Sequence, residues 1–190
     1  AKLGADMLGF NFYEKSSRYV SPQIARRIAD DLPEGILKVG VFVNMEGYRI
    51  EELVDTACLT AIQLHGDEDS EFVKKLKRNT EAKIIKAFRV GLNFHASSIA
   101  EYDVDDVLLD TYTAREYGGT GECFDWKTAH SVKDYTSQLY IAGGLTPENV
   151  VEAIRMVKPY AVDVASGVES SPGKKDLKKL EAFIKNAKNA

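Results

Sequence analysis

The sequence predicts an α/β fold: a (β/α)8 barrel with seven strand–helix units visible and the first unit absent, forming one domain over residues 1–190. Three observations lead there. Short runs apolar on both faces alternate with helical patterns, which is the mark of a parallel sheet covered by helices. The runs number seven, more than the five or six strands of a doubly wound sheet and one fewer than a closed barrel. The opening "AKLGADMLGF" reads as the last turn of a helix stopping at Gly4, followed by a buried strand from Met7 to Phe10. The expectation is therefore that an eighth strand–helix unit belongs before Ala1.

Taken in order, the strand candidates are "MLGFNF", "LKVGVFV", "TAIQLH", "KIIKAF", "DVLLD", "LYIAGG" and "YAVDVAS". The helical stretches between them include "SPQIARRIADDL", "MEGYRIEELVDTA", "DSEFVKKLKRN", "TPENVVEAIRMV" and the closing "KKDLKKLEAFIKNAK". Ser21-Pro22 and Thr146-Pro147 each place a capping side chain before a proline at the first helical position. In the last helix Leu177, Leu180, Phe183 and Ile184 are expected to form the buried stripe, and the run "GKKDLKK" a solvated face. No linker or low-complexity stretch marks a domain boundary.

Composition bounds the function. Hydrophobic residues make up 44% and charged ones 28%, ordinary for a globular protein. A net charge of -4 gives no electrostatic support for nucleic-acid or anionic-membrane partners. No apolar run approaches a membrane span and no signal-peptide pattern opens the sequence, so a cytoplasmic location is expected. Cys58 and Cys123 have no metal-ligand spacing, and both are expected to pack rather than react. No metal is expected.

In a (β/α) barrel the chemistry lies at the C-terminal ends of strands. The last two runs end in "AGGLTPENV" and "VASGVESSPGKKD". Gly143 and Gly144 let the backbone approach a ligand, and Ser166 and Gly167 offer a hydroxyl and an unobstructed amide on the next loop. Two such neighbouring loops predict a phosphate site; tight turns are the alternative reading. Asp110 leaves the run "VLLD" at the barrel mouth, where partial burial would help a carboxyl hold a proton. A helix cap or ion-pair partner is its other reading. Arg18 is suited to clamping a carboxylate through two parallel hydrogen bonds, or is simply a surface arginine. Gln63 and His65 also sit at a strand end, where a hydrogen-bonded structural histidine is the commoner case, and Asp163 lies in a strand, where it is expected to face inward and support the site.

These segments in this order resemble the phosphoribosylanthranilate isomerase family. The stretches that carry the resemblance include "GADMLGFNFYEKSSRYVSP", "VGVFVN", "IQLHGDE", "KAFRV", "LLDTY", "YGGTGECFDW", "IAGGLTPENV" and "VDVASGVESSPGKKD", running from residue 4 to the last helix. The resemblance implies an Amadori rearrangement of N-(5'-phosphoribosyl)anthranilate into an aminodeoxyribulose phosphate, without cofactor. An aspartate matching Asp110 would be the acid, the arginine matching Arg18 would lie near the anthranilate carboxylate, and the loops at Gly143-Gly144 and Ser166-Gly167 would hold the phosphate. The resemblance also implies a cysteine base within a Lys-Ile-Cys-Gly motif on the first strand, and that motif occurs nowhere in the 190 residues.

The sequence-level expectation is thus a chain whose binding functions outlast its turnover and whose open sheet edges self-associate. Two related readings fit less well. The histidine-pathway isomerase would show an internal half-barrel repeat, and indole-glycerol-phosphate synthase would need a lysine and a glutamate at strand ends that have no place here. A non-catalytic phosphate-binding or assembly module is the reading from a different class.

Overall fold

The computed structural model describes residues 1–91, 94–110 and 126–190. All seven apolar runs become strands: β1 (Met7–Asn11), β2 (Leu37–Phe42), β3 (Ala61–Leu64), β4 (Lys83–Arg89), β5 (Asp106–Asp110), β6 (Leu139–Ala142) and β7 (Ala161–Val162). They form a seven-stranded sheet whose order follows the chain. A short antiparallel pair, β8 (Glu169–Ser171) and β9 (Lys174–Lys175), stands apart. The helices are α1 (Pro22–Asp30), α2 (Gly47–Thr56), α3 (Ser70–Arg78), α4 (Trp126–Val132), α5 (Val150–Val157) and α6 (Leu177–Lys188). This is the parallel α/β arrangement the alternation predicts. The chain groups into two compact units, Ala1–Ala87 with Glu101–Asp105, and Phe88–Ala100 with Asp106–Ala190.

In the first unit β1, β2, β3 and β4 pair in parallel, Met7 opposite Leu37, Val39 opposite Ala61 and Ala61 opposite Lys83. Local chemistry starts the helices. Ser21 accepts the Ile24 amide at 3.4 Å with Pro22 leading α1, and Asp69 accepts the Phe72 amide at 2.8 Å to cap α3. Lys75, Lys77 and Arg78 crowd the last turn of α3, where cations favour the carbonyl end of the helix dipole. Phe12 and Phe42 stack with ring centroids 5.4 Å apart, in a core shared with Ile50, Ile62, Leu64, Leu76 and Ile84.

In the second unit β5, β6 and β7 pair in parallel, Val107 opposite Leu139 and Tyr140 opposite Ala161. Leu108, Leu109 and Ile141 are buried with Val150, Ala153 and Val157 of α5 and Phe183 of α6. Asp106, at the start of β5, is fully buried and accepts the Tyr140 hydroxyl at 2.6 Å. The Tyr140 ring stacks on Tyr160. Burial first, and then the bond to Asp106, push the Tyr140 hydroxyl well above the usual tyrosine pKa.

Three expectations need correction. Leu177 is 71% exposed, because it is the first residue after the Asp176 cap and turns outward. The buried stripe of α6 is therefore Phe183 with the partly buried Leu180 and Ile184. The lysine run divides, with Lys174 and Lys175 in β9 and only Lys178 and Lys179 on the helix. Cys58 is only partly buried and sits in the left-handed region at φ 49°, so it is a turn residue rather than a packed one. Cys123 and residues 117–125 of "YGGTGECFDW" lie outside the described residues.

Candidate active site

Asp110 is the last residue of β5, half-buried, and its Cα pairs with that of Ala142 at the end of β6. Its carbonyl accepts the Val90 amide at 3.0 Å, which secures the strand end. Directly after Ala142 the chain turns through Gly143 at φ 86° and Gly144 at φ 67°, a conformation that side-chain-bearing residues rarely adopt. Successive turn amides of this sort make concavities for anions.

The loop then locks itself. Asn149 accepts the Thr146 amide at 2.8 Å through Oδ1 and donates through Nδ2 to the Gly144 carbonyl at 3.0 Å. Thr146 Oγ1 accepts the Glu148 amide at 3.3 Å. This is a reciprocal cap of the kind expected at Thr146-Pro147, although the regular helix begins only at Val150. The turn between them is closed by Asn149 and Val150 amides on the Thr146 carbonyl.

Ser166 and Gly167 lie in a short 3-10 turn, Ser166–Val168, after β7. A Cβ placed on Gly167 would overlap the Leu145 carbonyl oxygen and stand 2.9 Å from its carbon. The loop after β7 therefore packs backbone against backbone on the loop after β6. The structure thus brings Gly143, Gly144, Ser166 and Gly167 into one pair of touching loops beside the strand end that carries Asp110.

Asp163 is placed differently from the expectation. It follows β7 rather than lying inside it, donates its amide to the Ile141 carbonyl at 2.9 Å, and its side chain is exposed. The physical reason is that β7 is two residues long and ends the sheet order, so its flank stays open.

In the first unit Gln63 is buried and its Nε2 lies 3.0 Å from Nδ1 of the half-buried His65. Arg18 sits in a separate loop, between β1 and α1. Asn11 shapes that loop, accepting the Tyr13 amide at 2.9 Å and reaching Ser16 Oγ at 3.3 Å, while Ser16 Oγ accepts the Arg18 amide at 3.1 Å. Arg18 is half-buried in this frame.

Sequence reasoning missed a buried ion pair nearby. Lys86 Nζ meets Glu68 Oε2 at 3.0 Å, with both side chains at most 3% exposed. The ammonium also donates to the Gly66 carbonyl at 2.9 Å and the Leu64 carbonyl at 3.4 Å. Glu68 in turn accepts the Asn44 amide at 2.8 Å and the Gly66 amide at 3.0 Å. The loops after β2 and β3 and the strand β4 are thereby tied together. The signal was present in "VFVN" and "HGDE", polar residues clustered where apolar strands end.

Against known proteins, the family model described as N-(5'phosphoribosyl)anthranilate (PRA) isomerase matches residues 1–186. An N-(5'-phosphoribosyl)anthranilate isomerase of Trichlorobacter lovleyi is 46% identical over 187 residues, covering 98% of this chain and 89% of that protein. The crystal structure of phosphoribosyl anthranilate isomerase from Thermotoga maritima superposes with a TM-score of 0.86 at 44% identity, covering 100% of this chain and 91% of the other. A further structure of the isomerase, in complex with reduced 1-(o-carboxyphenylamino)-1-deoxyribulose 5-phosphate, gives a TM-score of 0.83 at 40% identity, covering 100% and 90%. Over nearly all of its length, then, this chain belongs to the N-(5'-phosphoribosyl)anthranilate isomerase family.

Proposed function

We propose that this chain is an isomerase of tryptophan biosynthesis, converting N-(5'-phosphoribosyl)anthranilate to 1-(2-carboxyphenylamino)-1-deoxyribulose 5-phosphate. The observation that carries the reading is the end of β5 and β6: a half-buried carboxylate, Asp110, beside the pair of glycine-bearing loops, in a chain of this family. Asp110 delivers a proton to the ribose ring oxygen, the bond from that oxygen to the anomeric carbon breaks, and the anthranilate nitrogen becomes a Schiff base. A base, the cysteine of the Lys-Ile-Cys-Gly strand that the resemblance implies, takes the proton from the adjacent sugar carbon, giving an enolamine that tautomerises to the ketone. The 190 residues contain no Lys-Ile-Cys-Gly motif, so the roles assigned to them are the acid and the binding groups.

Gly143, Gly144, Ser166 and Gly167 hold the phosphate through backbone amides and a hydroxyl. Arg18 takes the anthranilate carboxylate, and Gln63, His65 and Asp163 line or support the substrate. Family membership favours this reading over the non-catalytic phosphate-binding module.

The finer plan belongs to the same proposal. Seven parallel strands in chain order support the plan of an eight-stranded barrel of which residues 1–190 supply seven strand–helix units as one domain, working in the cytoplasm. The outer edge of β1 supports self-association.

The test follows the fluorescence of the anthranilate substrate. In a version that also carries the Lys-Ile-Cys-Gly strand, its consumption, reduced about 10²–10⁴-fold in kcat with little change in KM by Asp110→Asn, is the expected result, while the 190 residues alone are expected to bind substrate with little turnover. Substrate bound but never consumed by that version would restore the module reading, and near-normal turnover by its Asp110→Asn variant would remove Asp110 from the role of acid.

A further inference from the structure

The loop that carries Ser166 and Gly167 needs something to hold it against Leu145, because β7 is two residues long and its pairing with β6 reaches only to the Asp163 amide on the Ile141 carbonyl. The hairpin of β8 and β9 supplies it. Lys175 Nζ donates to the Ala165 carbonyl at 2.8 Å, the peptide unit immediately before Ser166. The same ammonium meets Glu169 Oε1 at 3.3 Å, and the Glu169 side chain is only 4% exposed. Lys179 Nζ donates to the Glu169 carbonyl at 3.3 Å, and the Asp176 amide to the Val168 carbonyl at 2.8 Å. The loop is thus gripped at both ends, by side chains from β9 and the first turn of α6.

We propose that Lys175, oriented by Glu169, is a positioning residue for the phosphate site. It turns the Ala165–Ser166 peptide so that the Ser166 hydroxyl and the Gly167 amide face the position of the phosphate. Two of the three N–H groups of the ammonium go to the Ala165 carbonyl and to Glu169, and the effect on the phosphate is assigned to the loop that they hold. The inference rests on the phosphate reading of the two glycine-bearing loops given above.

The test is calorimetric titration of the intact chain with inorganic phosphate, comparing wild type with Lys175→Met, Lys175→Arg and Lys174→Met. Lys174 lies on the same strand and is exposed, so its replacement removes the same charge without touching the Ala165 carbonyl. Loss of one charge-assisted hydrogen bond predicts phosphate binding about tenfold weaker in Lys175→Met, with affinity kept within about twofold in Lys175→Arg and Lys174→Met. Where the isomerase turns over, Lys175→Met raises KM while kcat holds. If Lys175→Met does not fold, Glu169→Gln reads the same device by loosening the ammonium, and an unchanged phosphate affinity there overturns the proposal. Equal losses in Lys175→Met and Lys174→Met would make the effect one of bulk charge and overturn it. Wild type that binds phosphate as tightly as Lys175→Met overturns the role of Lys175 alone. Wild type that binds none overturns the phosphate reading and this inference with it.

Discussion

Gly66 shows how one absent methyl group shapes a loop. A Cβ there would collide with Asn44 Oδ1 and stand 2.7 Å from both the Asn44 amide nitrogen and Glu68 Oε1. The Asn44 amide donates to that Glu68 oxygen and Asn44 Oδ1 accepts the Asp67 amide, so Gly66→Ala forces the clamp around Lys86 apart. The charge pair itself sets a larger scale. Lys86→Met leaves the Glu68 carboxylate buried without its ammonium, and breaking a buried pair from one side costs about 3–5 kcal/mol. Gly66→Ala, which loosens the same bonds without deleting a charge, is expected to cost less, about 1–3 kcal/mol. Urea unfolding midpoints measure both, and a midpoint unchanged in Lys86→Met would show that the pair contributes nothing to the fold. None of this was legible in "KIIKAF", where a lysine between apolar residues reads as a solvent-facing strand position. The place of Asp110 at the end of its strand was legible, because a carboxylate closing a run apolar on both faces is conspicuous. Asp163 was legible as a residue but not in its exposure, which depends on the length of β7 and not on its neighbours in sequence.

Strands and helices were easier to read than their ends. Each apolar run became a strand, and Ser21-Pro22 starts its helix where the cap chemistry places it. Thr146-Pro147 caps a turn that becomes a regular helix only at Val150, because Asn149 spends its side chain on Thr146 and Gly144. The pairing of Asp106 with Tyr140 was hidden for a different reason: 34 residues separate them, and only the parallel register of β5 and β6 brings them together. That pair has a pH signature. The Tyr140 hydroxyl is held protonated by burial and by its bond to Asp106, so its pKa in the fold lies above the unfolded value of about 10. The stability it contributes is complete below that unfolded value and is lost as pH rises beyond it toward the folded one. The urea midpoint of the wild type is therefore expected to fall above about pH 10. Tyr140→Phe, which withdraws a donor from buried Asp106, should cost roughly 1–3 kcal/mol at neutral pH and show a flatter alkaline limb. An alkaline limb as steep in Tyr140→Phe as in wild type would assign the pH dependence to other groups.

At the scale of the whole chain, a net charge of -4 gives no electrostatic support for nucleic-acid partners, and among the described residues no helix is long and apolar enough to cross a membrane. Each compact unit also leaves large apolar side chains exposed: Ile24, Ile28 and Tyr48 in the first, Met156, Tyr160 and Leu177 in the second. Burying such a side chain stabilises by about 1.5–3 kcal/mol, and β1 ends the sheet order with an outer edge. The chain is accordingly expected to associate with itself, and sedimentation velocity across a concentration series would show the weight-average mass rising. A monomer at every concentration would exclude it. The architecture of β5 carries one more consequence. Asp106 opens the strand and Asp110 closes it, and at about 3.3 Å per residue their Cα atoms stand roughly 13 Å apart. At that separation, the effects of substitutions at sites that share no partner sum to within about 0.3–0.5 kcal/mol. One covalent strand then behaves as two thermodynamically independent neighbourhoods, and the foundation beneath Asp106 can be re-engineered for heat resistance without disturbing the role proposed for Asp110.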